Sequence, residues 1–60
     1  MIKFKRDKVV YLEKLDRDFI FKRGYSYYGS KIKDGYKVWN IDKSVVVEIV
    51  GDGVGEYLEV

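Results

Sequence analysis

Cysteine, histidine and proline are absent from the sixty residues, and so are alanine, threonine and glutamine. Each of the first two absences removes a class of chemistry. Without cysteine there is neither a disulfide nor a thiolate zinc site, and without histidine there is no imidazole ligand. Ser26, Ser30 and Ser44 also lack the base that usually activates a nucleophilic serine. Long apolar runs are missing too: nothing approaches the ~20 residues of a membrane span. The opening Met1-Ile2-Lys3-Phe4-Lys5 has no apolar signal-peptide core, so the expectation is a soluble, cytoplasmic protein.

What remains is aromatic and charged. Six tyrosines, three phenylalanines and one tryptophan supply the large side chains, and each ring can bury roughly 150–250 Å². That matters because a chain this short buries only about 60% of its unfolded surface. Neither metal nor disulfide supplements the core, so packing carries the fold, and a homodimer is a natural way to add to it. The net charge is +2, unevenly spread. Residues 1–40 hold eleven basic against five acidic residues (+6), and residues 41–60 hold one against five (−4). Such a layout can steer a charged partner.

The local patterns are mostly those of strands. Arg6 to Arg17 has some helical spacing, with Asp7 able to cap it, but Val9-Val10-Tyr11 is a β-branched and aromatic run that favours a strand. "DFIFK" follows as a short apolar strand. "YSYYGSKI" and "YKVWNI" flank Asp34-Gly35, a strong hairpin signal. A two-residue loop there sets Ile32 opposite Lys37 and Ser30 opposite Trp39. A three-residue loop with a bulge sets Ile32 beside Tyr36 and Ser30 beside Val38. Val45 to Val50 is the most apolar segment and reads as a central strand buried on both faces. Tyr57 to Val60 closes the sheet. The whole predicts one domain over residues 1–60: all-β, a small, partly open antiparallel barrel of five to six strands.

Three segments carry a family likeness. "Lys22-Arg23-Gly24-Tyr25-Ser26-Tyr27", then "Asp34-Gly35-Tyr36-Lys37-Val38-Trp39-Asn40", then "Glu56-Tyr57-Leu58" resemble the small SH3-like barrel proteins of bacteriophages and prophages. The resemblance spans residues 22 to 58, with "VVYLEK" filling the first strand. It implies an SH3-like fold and residence in a bacterial host cell, and it brings no functional residue with it. The second Tyr after Tyr27 and the glycine-rich loop at residues 51–55 depart from the family pattern.

The candidate sites can then be weighed. Gly51-Asp52-Gly53-Val54-Gly55 follows a strand as a dinucleotide loop would. Its third glycine comes one residue early and too little chain remains for a following helix, so it reads as a turn. Asp16 and Asp18 would share a strand face, yet they belong to a turn beside Arg17 and not to a pocket. No loop offers the oxygen ligands a hard metal ion needs. The inventory predicts no enzyme, no metal and no cofactor. It favours binding. Tyr25, Tyr27, Tyr28, Tyr36 and Trp39 are the candidate anchors for a protein partner. An alternative is nucleic-acid binding by Lys3, Lys5, Arg6, Lys22, Arg23, Lys31 and Lys33, interleaved with the tyrosines. Against it stand a pI of only 8.9 and the acidic residues at 48, 52, 56 and 59.

Overall fold

Alternating β-branched and aromatic side chains draw most of the chain into strands, and a computed structural model describes residues 1–60. The strands are β1 (Ile2–Phe4), β2 (Lys8–Leu12), β3 (Arg17–Phe21), β4 (Ser26–Ile32), β5 (Gly35–Trp39), β6 (Val46–Val50) and β7 (Leu58–Glu59), with one short helix, α1 (Asp52–Tyr57), before the last. Five strands form one antiparallel sheet in the order β6-β5-β4-β1-β7, and β2 pairs with β3 as a separate hairpin. β4 joins the two halves of the sheet. Its first residues pair with β1 (Ile2 to Tyr27), and the rest pairs with β5. The sheet coils around this shared strand into a half-barrel, and the β2–β3 hairpin packs Val10, Leu12 and Phe19 against the core.

That core is small and aromatic. Phe4 and Phe21 are fully buried and stack with ring centroids 5.3 Å apart. Tyr27 meets both edge-on, at 5.5 Å and 4.9 Å, and Phe19 meets Phe21 at 5.0 Å. Such geometries add about 0.5–1.5 kcal/mol per pair beyond area burial. The Tyr27 hydroxyl escapes the cost of burial by accepting the Lys22 backbone N–H at 2.9 Å. Ile2, Val38, Val45, Ile49 and Leu58 complete the cluster.

Four expectations are corrected by these elements. The first strand is Ile2–Phe4, and the "VVYLEK" segment belongs to the β2–β3 hairpin instead. The β4–β5 turn is Lys33-Asp34, with Ile32 opposite Gly35 and Tyr28 opposite Trp39, one step from the expected three-residue-loop register and two from the two-residue one. Close approach is the reason: a Cβ on Gly35 would collide with the Ile49 backbone carbonyl, so this glycine must lie within the strand, flush against β6. Gly35→Ala is therefore expected to cost at least the ~1–3 kcal/mol of ordinary overpacking, since a backbone atom cannot swing aside. A urea titration measures it.

Segment 45–50 is not central. It supplies the edge strand β6, with Val46 and Val50 exposed and only Val45 and Ile49 buried. The glycine-rich stretch is not simply a turn either. Gly51 takes φ 57°, ψ −133°, a conformation that side chains resist, and a helix of six residues follows. Tertiary packing of Val54 and Tyr57 against the core outweighs the poor helix propensity of the glycines.

Candidate functional site

Strand alternation sorts the candidate residues. On β4, Tyr27 turns inward and Tyr28 outward; on β5, Val38 turns inward and Trp39 outward. The register then brings Tyr28, Trp39 and Val46 side by side across three strands on the sheet's outer face. Tyr28 is 43% and Val46 46% exposed, while Trp39 is half-buried. Two lysines close over the rings: the Lys43 ammonium lies 5.1 Å from the Tyr28 ring and that of Lys37 lies 5.6 Å from Trp39. Below this row lies Ser30–Lys37–Glu48, and below that Ile32–Gly35–Val50.

The other anchors are dispersed. Tyr27 is buried in the core and is unavailable to a partner, which corrects its place among the candidates. Tyr36 packs partly buried against the core from the inner face, and Lys31 lies 5.3 Å from its ring. Tyr25 is exposed, next to the start of β4. Val46, Val50, Lys37 and Lys43 were not among the candidates. Lys37 and Val46 could have been found only by knowing the strand register, because each earns its place by what stands opposite.

The basic residues do not make one surface. Lys3, Lys5 and Arg23 line a small cleft together with Glu59. Arg6 pairs with Glu56 at 2.8 Å, and Asp7 accepts the Arg23 backbone N–H at 2.8 Å. Lys22 adjoins this group in sequence, whereas Lys31 and Lys33 stand at the far end of β4. Acidic groups thus interrupt the basic end, and the outer-face rings carry lysines already in place.

A groove of about 810 Å³ lies between the tip of the β2–β3 hairpin and the segment leading into β6, with Leu12, Leu15, Phe19, Val45 and Val46 among its apolar walls. Both walls are fastened by short hydrogen bonds. At the hairpin tip Asp16 adopts a left-handed conformation (φ 49°) and accepts the Tyr11 hydroxyl at 2.6 Å. That bond, with a little desolvation, raises the Tyr11 pKa above its ordinary value. Opposite, buried Asn40 accepts the Val45 N–H at 2.9 Å and donates to Ser44 Oγ at 3.1 Å. Ser44 in turn donates its hydroxyl (2.6 Å) and its backbone N–H (3.0 Å) to Asp42, which holds that carboxylate below its usual pKa. These polar groups are spent on shaping the loop. Nowhere do three acidic side chains gather to hold a metal ion.

Fold and surface together define the class: a small all-β, barrel-like protein whose five-stranded antiparallel sheet forms a half-barrel, with Tyr28 and Trp39 adjacent on its outer face. No protein-family model, curated protein or solved structure matches the chain.

Proposed function

We propose that the protein is a non-enzymatic interaction module that holds another protein against the outer face of β4, β5 and β6. One observation carries this reading: Tyr28, Trp39 and Val46 line up across three strands, Tyr28 and Val46 exposed and Trp39 half-buried, on the side of the sheet that the core does not use. Aromatic rings give large contact area at little rotamer cost, and Trp and Tyr dominate interface hot spots. The likeness to phage and prophage barrels suggests the partner: a protein of the bacterial host, bound and modulated by a mobile-element protein in the host cytoplasm.

Trp39→Ala and Tyr28→Ala are the test. Each is expected to weaken capture of a host protein about thirtyfold, the loss typical of a hot spot worth ~2 kcal/mol, while the variants stay cooperatively folded. Capture at full strength by both would refute the reading. Binding of labelled DNA or RNA that falls steeply with salt, and that Lys3→Ala or Arg23→Ala removes, would move the function to the basic cleft.

A further inference from the structure

The edge strand beside this face has its own chemistry. Asn40 N donates to Val45 O and Gly51 N donates to Asp34 O, and both pairs continue the β5–β6 register. In an antiparallel ladder, hydrogen-bonded and non-hydrogen-bonded pairs alternate. Val46, Glu48 and Val50 therefore turn their N–H and C=O groups away from β5, towards the open side of the sheet. β6 ends the sheet, and none of these groups bonds to another part of the chain. The same three residues present their side chains on the outer face. Along the free edge the order is apolar, acidic, apolar.

Glu48 stands without an ion partner. Lys37 lies directly across from it on β5, but its ammonium sits over the Trp39 ring, and the chain's single ion pair is Arg6–Glu56. A second copy cannot pair along the full length of this edge without opposing the two carboxylates. In the two-fold pairing that matches Val46 with Val50 of the other copy, Glu48 meets the other Glu48, and like charges directly opposite are destabilising. The complementary occupant is an extended strand with a cation at the centre.

We propose that β6 receives, by strand addition, an extended segment of a partner protein bearing lysine or arginine opposite Glu48 and apolar residues two positions to either side. Backbone hydrogen bonds to Val46, Glu48 and Val50 supply affinity, and the alternate side chains supply selection. At the Val46 end the segment runs into the groove walled by Leu15 and Phe19, which takes an apolar side chain. The proposal rests on the interaction-module reading and specifies how that module grips.

The experiment is selection of a displayed random peptide library on the full chain, in parallel with Glu48→Lys and Glu48→Gln. The parent is expected to enrich an apolar–x–basic–x–apolar pattern. Glu48→Lys should exchange the central basic residue for an acidic one, and Glu48→Gln should lose the charge preference while keeping the fold. A peptide selected on the parent, made synthetically, should bind Glu48→Lys about tenfold more weakly and should slow amide exchange at Val46, Glu48 and Val50. No enrichment, enrichment indifferent to residue 48, or unchanged exchange along β6 would each overturn the proposal. Its failure is separable from that of the broader reading. If Trp39→Ala loses the host protein while Glu48→Lys keeps it, the face binds and the edge does not.

Discussion

Phe21→Ala is expected to leave the chain largely unfolded at physiological temperature. Phe21 is fully buried at the junction of the β2–β3 hairpin and the main sheet, in contact with the rings of Phe4, Phe19 and Tyr27. Removing such a ring costs about 3–5 kcal/mol in lost transfer energy and residual cavity. Against this stands a total of only ~3–9 kcal/mol for sixty residues at typical per-residue stability. No disulfide offsets the loss. Each kcal/mol shifts the midpoint by roughly 4–8 °C in a domain this small, so a fall of about 20–30 °C is expected in a thermal melt followed by circular dichroism. A cooperative transition within a few degrees of the parent would mean that the aromatic cluster does not hold the two parts together.

Glu48→Val should cause self-association. The substitution turns β6 into five consecutive β-branched residues on an edge whose outward N–H and C=O groups are unpaired. Charged side chains on edge strands are a standard guard against such pairing, and Glu48 is the only charge on this one. In the two-fold arrangement valine would meet valine where two carboxylates now oppose each other. At concentrations on the order of 0.1 mM, where exposed edges associate, sedimentation is expected to give a dimer mass or larger for Glu48→Val, above that of the parent. Equal masses for the two proteins would show that the edge is shielded by something other than its charge.

The strand content of the chain is legible because it rests on local chemistry. Val9-Val10-Tyr11, "DFIFK" and Val45 to Val50 have the residues that pleated strands favour, and all three become strands. Topology is less legible, because it depends on contacts between distant residues. The apolar richness of residues 45–50 suggests a central strand, yet Glu48 in its middle is the sign of an edge. Gly35 reads as a turn former in sequence, and only the position of the Ile49 carbonyl reveals it as a place of close approach. The helix after Gly51 is invisible to propensity because Val54 and Tyr57 are held by the core and not by their neighbours in the chain.

The site follows the same rule. That aromatic residues concentrate between Tyr25 and Trp39 can be read from the sequence. Which of them face outward cannot, since one step of register exchanges every inward and outward side chain. Tyr27 and Tyr28 are adjacent and identical, and one closes the core while the other meets solvent. The value of Lys37, Lys43 and Val46 depends on their cross-strand neighbours. The basic residues look continuous in sequence, but the barrel sends them to both ends of β4 and sets Glu56 and Glu59 among them.

Backbone amide exchange, compared residue by residue between the free chain and a complex with a captured host protein, tests the proposed binding surface most directly. The surface described above predicts slowed exchange at Val46, Glu48 and Val50, with a shifted Trp39 indole signal. Unchanged exchange along β6 and an unmoved Trp39, with protection instead around Lys3, Lys5 and Arg23, would contradict it.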